Sequence, residues 1–102
     1  MPEQWETCTI TYETVREVKG IFPKESVRFV AQAAGPRGEY IAAKSKTFAL
    51  GAFNLYGPNE KKKEHAAALK AVVEELVKDG WEQVPEKGQP WFNLKFRRQV
   101  EG

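Results

Sequence analysis

The chain has 102 residues, with 16 Lys and Arg against 14 Asp and Glu, one His, one Cys and three Trp. That length suits one domain over residues 1–102, and 41% hydrophobic with 29% charged residues excludes disordered, collagen-like and disulfide-scaffold chains. A net charge of +2 is too small to argue by itself for a nucleic acid or a membrane, no apolar run approaches the roughly 20 residues of a membrane span, and the start lacks the basic-then-apolar order of a signal peptide, so a soluble cytoplasmic domain is expected.

Residues 5–12 alternate strongly. Cys8, Ile10 and Tyr12 share one face, and Trp5, Thr7, Thr9 and Thr11 share the other, as in a strand with one buried side. Residues 15–24 carry Gly20 and Pro23 and read as a loop. Alternation resumes over 26–34, with Val27, Phe29, Ala31 and Ala33 inward and Arg28, Val30 and Gln32 outward. Gly35-Pro36-Arg37-Gly38 then closes a hairpin onto a third strand over 39–48, in which Ile41 and Ala43 face in while Tyr40, Lys44 and Lys46 face out.

Residues 49–59 read as a loop that nevertheless holds Leu50, Phe53, Leu55 and Tyr56. Asn59 can cap a helix reaching Asp79, on which Leu69, Val72, Val73 and Leu76 form one apolar stripe. Gly80 is the expected left-handed stop. A short strand over 81–84 follows, then a turn region, then a last strand over 91–100 with Phe92, Leu94 and Phe96 in and Trp91, Asn93, Lys95 and Arg97 out. The order β-β-β-α-β-β predicts an α+β fold, a five-stranded antiparallel sheet with one helix packed on one face.

Width raises a question about cover. Five strands span roughly 19 Å, whereas a helix with its side chains is about 10–12 Å across. The apolar loop is the natural second cover; the alternative is that Phe53, Leu55 and Tyr56 contact a partner or a second copy.

The catalytic inventory is thin. The acids are 13 Glu and the single Asp79, with His65 the only imidazole and Cys8 the only thiol, so a nucleophilic triad would have to use every singleton at once. Metal sites ask for several such ligands, and no phosphate-cradling glycine motif is present. Glu74 and Glu75 project about 100° apart on a helix and do not converge. No enzyme activity and no cofactor are expected. The flanking pattern makes Cys8 a buried, inert thiol and His65 a half-exposed surface imidazole.

Two resemblances accompany this reading. Trp5-Glu6, Gly80-Trp81-Glu82 with Val84, and Phe96-Arg97-Arg98 resemble a family of small bacterial domains of unknown function, with a Trp-Glu-Tyr-type first strand and a Gly-Trp-Glu helix exit. That resemblance implies a fold more than an activity, with residues 17–58 as a long insertion. Residues 26–76, with Phe29, the turn at Gly35 to Gly38, Lys61-Lys62-Lys63 and Ala66-Ala67-Ala68-Leu69, are similar to the later half of double-stranded RNA-binding domains. There the resemblance implies phosphate contact by the lysines, although the N-terminal strand and the two strands after the helix depart from that pattern.

Charge segregation supplies the remaining candidates. Lys61, Lys62 and Lys63 oppose the helix dipole at about 0.3–1 kcal/mol each when exposed, a cost that phosphate contact would explain. The outward list holds Arg28, Lys44, Lys46, Lys95 and Arg97 with no carboxylate, flanked by Tyr40, Trp5 and Trp91, as single-stranded nucleic acid would require. A protein-interaction or self-associating module is the leading expectation, with nucleic-acid binding through these residues as the alternative.

Overall fold

The computed structural model describes residues 4–20, 24–50 and 57–100. Its elements run β1 (Gln4–Val18), β2 (Lys24–Gly35), β3 (Gly38–Lys44), β4 (Phe48–Leu50), α1 (Lys63–Lys78), β5 (Glu82–Lys87) and β6 (Leu94–Val100). The fold is α+β: one antiparallel sheet in the order β3-β2-β1-β6-β5, with β4 also on β2 and the helix packed against the sheet.

The sixth strand comes from a split. β2 is long enough to pair with β3 over one half (Val30 with Lys44) and with β4 over the other (Val27 with Phe48). Ser45 bridges the break: its N–H donates to the Phe29 carbonyl at 2.9 Å, and its Oγ accepts the Phe29 N–H at 2.9 Å. The expected third strand over 39–48 is thus two strands, and Leu50 belongs to the second, buried at 3% exposure. Phe53, Leu55 and Tyr56 lie outside the described residues.

β1 also outruns its expectation, pairing with β2 as far as Val18. A bulge between Thr14 and Arg16 breaks the alternation there, so the segment does not read as a strand. A second irregularity, between Ala31 and Gln32 of β2, reverses the β3 register. Ala33 faces Tyr40 and Gln32 faces Ile41, which turns Tyr40 to the helix side and Ile41 away from it.

The core lies between the sheet and α1. Cys8, Ile10, Val27, Phe29, Ala31, Ala33 and Phe96 project from the sheet onto Leu69, Val72 and Leu76, closed by Phe48, Trp81 and Phe92. Phe29 is its centre, with ring centroids 5.1 Å from Phe48, 5.3 Å from Phe92 and 5.9 Å from Trp91. Trp91 is therefore a core residue and not an outward one, its Nε1 donating to the Pro58 carbonyl at 2.9 Å. β6 starts only at Leu94 because Trp91 and Phe92 turn inward to fill this cluster.

α1 begins four residues later than its predicted cap. Asn59 Oδ1 accepts the Lys61 N–H at 2.9 Å in a preceding turn, and Lys62 occupies the cap position without a side-chain bond. At the other end Gly80 has φ +91° and Trp81 N–H returns to the Leu76 carbonyl at 2.9 Å. An L side chain in this left-handed region costs about 1–2 kcal/mol. Gly80→Ala is therefore expected to lower the unfolding free energy by about that much in urea titration; no loss would show that the exit has another solution.

Candidate binding face

The helix covers one face of the sheet only. By register the opposite face presents Trp5, Thr7, Thr9, Thr11 and Glu13 from β1, Arg28, Val30, Gln32 and Ala34 from β2, Ile41 and Lys44 from β3, Lys95 and Arg97 from β6, and Glu82 from β5. Among the described residues nothing packs over it. Val30, in the middle, is nevertheless fully buried.

Two open grooves flank β1. One, of about 500 Å³, runs over Thr7, Thr9, Gln32, Ala34 and Ile41; the other, of about 480 Å³, runs over the same threonines with Val84, Glu86, Lys95 and Arg97. Thr7 and Thr9 therefore form a hydroxyl-bearing ridge between two shallow channels. Trp5 and Ile41 add exposed apolar surface, 38% and 41% accessible.

The charges on this face differ from the expected pattern, because the ladder brings carboxylates onto it. Arg28 Nη2 donates to Glu13 Oε2 at 3.0 Å, and Arg97 Nη2 to Glu82 Oε1 at 3.3 Å, with the Arg97 guanidinium 4.6 Å from the centroid of the Trp5 ring. Two of the five expected cations are thus paired. Lys44 and Lys95 remain without an ion pair among the described residues, whereas Lys46 lies on the helix side, lining a groove with Glu64, Ala67 and Ala71. Tyr40 has turned to the helix side and Trp91 into the core, so neither ring is a platform on this face. Lys61, Lys62 and Lys63 are exposed in the other layer, at the start of α1.

The groups best suited to chemistry are each occupied elsewhere. Cys8 is 2% exposed, and burial pushes its thiol up to about 11 despite the nearby Arg98 charge. His65 is buried at 3%, not half-exposed: Nδ1 accepts the Asn59 N–H at 2.8 Å, and Nε2 meets the Ala49 carbonyl at 3.2 Å.

Glu6, 3% exposed, accepts from Tyr40 Oη at 2.8 Å and from Arg98 Nη2 at 2.9 Å. Burial pushes the Glu6 carboxyl up, but the Arg98 and Tyr40 hydrogen bonds and the Arg98 and Arg37 charges outweigh it and hold the group below the usual range. Arg98 also donates to the Asp79 carbonyl at 3.1 Å and lies 4.5 Å over the Trp81 ring, joining β1, β3, β6 and the helix exit. Gly35 makes room for this cluster, since a Cβ there would fall 2.6 Å from Glu6 Cγ. Glu6 and Arg98 both fall in the motifs Trp5-Glu6 and Phe96-Arg97-Arg98, but nothing in the sequence paired them. Among the described residues no three His, Cys, Asp or Glu side chains are grouped to hold a metal.

No protein-family model, curated protein or solved structure matches this chain. No described helix is long and apolar enough to cross a membrane.

Proposed function

We propose that this chain is a non-enzymatic interaction module that meets a protein partner on the sheet face opposite its helix. The observation that carries this reading is the pairing of charge on that face. Arg28 and Arg97 are engaged by Glu13 and Glu82, leaving an exposed Trp, an exposed Ile and a threonine ridge over two channels. Apolar anchors beside hydrogen-bonding groups suit a protein surface, with Trp a frequent anchor of such contacts. The occupied state of His65, Cys8 and Glu6 supports a role in binding over one in chemistry.

The test compares capture by the wild-type chain with capture by Trp5→Glu at matched melting temperature. Loss of a buried Trp anchor costs about 2 kcal/mol or more, so retained partner should fall roughly thirtyfold. Equal capture by both chains would overturn the reading. Binding of single-stranded RNA at low salt, falling steeply with added salt and weakened by Lys95→Glu, would transfer the face to a nucleic acid.

A further inference from the structure

β6 leaves β1 part-way along. The last β1–β6 pair is Thr9 with Lys95, and the Ile10 carbonyl on that side accepts from the Asn93 side chain, Nδ2 to O 3.0 Å, in place of a backbone N–H. A tight turn holds Asn93 there, its N–H donating to the Pro90 carbonyl at 3.0 Å and its own carbonyl accepting from Gly88 at 3.1 Å. β1 nevertheless runs on to Val18, and past this point its one ladder partner among the described residues is β2. Thr14, Val15, Arg16 and Glu17 are exposed there, Val15 at 48%.

The backbone of this edge is directional. Both polar groups of a strand residue point to one side and alternate along the chain; since Ile10 faces the β6 side, Tyr12 and Thr14 turn theirs to the open side. The bulge resets the alternation, because Arg16 pairs with Ser26, and Glu17 becomes the next residue to face outward. It also places Glu13 and Arg16 on the same sheet face, as their partners Arg28 and Ser26 are two apart; without the bulge they would oppose each other.

We propose that this edge pairs antiparallel with the same edge of a second copy. Setting Glu13 of one copy opposite Arg16 of the other occurs twice about a twofold axis. It also sets Tyr12 opposite Glu17, both of which direct backbone groups into the seam. Centring the pair on Val15 would oppose Glu13 and Glu17, and centring it on Thr14 would leave Glu13 facing Val15. Glu13 already holds Arg28 at 3.0 Å, yet 41% of its side chain stays exposed, which leaves room for a second guanidinium.

A bulge and charges ordinarily blunt an edge against indiscriminate pairing, and here they make one register self-complementary. The contact is isologous and closes at two copies. The two helices then lie on one side and the two bare faces on the other. One face measures about 19 Å by 23 Å, roughly 440 Å² in projection; two side by side reach about 880 Å², enough for the ~800 Å² that a standard interface takes from each partner.

Sedimentation velocity of the full chain from micromolar to millimolar concentration tests the pairing, with melting curves confirming that each variant folds. The wild type should convert to dimer with concentration, and the Thr14 and Glu17 amides should exchange more slowly as it does. Arg16→Glu opposes two carboxylates twice and should weaken the dimer about tenfold or more. Thr14→Pro removes an N–H that β2 does not use and should do the same without loss of monomer stability. A wild type that stays monomeric at millimolar concentration overturns the proposal, as does a dimer that neither variant weakens. A dimer lost on Trp5→Glu instead would overturn it by placing self-association on the sheet face. Since Trp5 lies away from the open edge, failure of partner capture and failure of dimerisation are read separately.

Discussion

Replacing Arg98 with Ala should destabilise the fold by about 3 kcal/mol near neutral pH and by less in acid. Removing one partner of a buried ion pair costs about 3–5 kcal/mol, and the low end applies because 30% of the Arg98 side chain is exposed, against 4% for Glu6. In the wild type the Glu6 carboxyl sits below its ordinary 4.5. A depressed folded-state value means that the unfolded chain binds the proton more readily, so the Glu6 contribution is present above about 4.5 and lost as pH falls through the folded value.

Burial is already the largest single influence on the Glu6 carboxyl, and without Arg98 it is opposed only by the Tyr40 hydrogen bond and the Arg37 charge, so the carboxyl moves up from its wild-type value. The stability that the wild type draws from a depressed Glu6, present above about 4.5 and lost in acid, is correspondingly reduced in the variant. The deficit of Arg98→Ala relative to the wild type should therefore be largest near neutral pH and shrink in acid. Urea titrations across that range measure it, and a deficit that does not vary with pH would show that Glu6 is hydrated in the variant. Adding Glu6→Gln to Arg98→Ala should recover part of the loss, because no buried charge then remains unpaired.

The second large effect belongs to His65. Its hydrogen bonds assign one tautomer, with Nδ1 accepting from Asn59 and the Nε2 proton directed at Ala49, so the ring ties the approach to α1 to strand β4. The ring also stacks on Phe48, with centroids 4.5 Å apart. His65→Leu keeps the bulk but orphans one N–H and one carbonyl. Both bonds are only part-buried, so each orphan costs near the low end of about 1–3 kcal/mol, and a loss of about 2 kcal/mol is expected. The specific readout is the Asn59 amide, which should exchange with solvent far faster than in the wild type. Unchanged exchange there, with stability preserved, would mean that water replaces the ring.

These two sites show where sequence reading stops. Both Glu6 and His65 are residue types that are seldom fully buried; His65 reads as half-exposed, and Glu6, although alternation sets it on the Cys8 face, offers no local sign of what would neutralise it there. Glu6 is buried because Arg98, 92 positions away, and Tyr40, 34 positions away, converge on it. His65 is buried because β4 supplies an acceptor and the turn at Asn59 a donor. The candidate face was half legible: the alternation of Trp5, Thr7 and Thr9 against Cys8 and Ile10 placed the threonines and Trp5 on it correctly. Its charge was misjudged because Glu13 fell beyond the strand limit that alternation could define, and because the short strand over 81–84, which holds Glu82, has too few residues for alternation to assign its faces.

By itself the sequence determined the fold class, the helix stripe with its Gly80 exit and the buried Cys8, because period-two and period-3.6 burial and a left-handed glycine are local constraints. Tertiary structure alone decided the bulges, the split of the third strand and the register of Tyr40 against Ile41. It also decided which charges meet. Those depend on pairings between distant strands, in which a one-residue shift moves a side chain to the opposite face at little local cost.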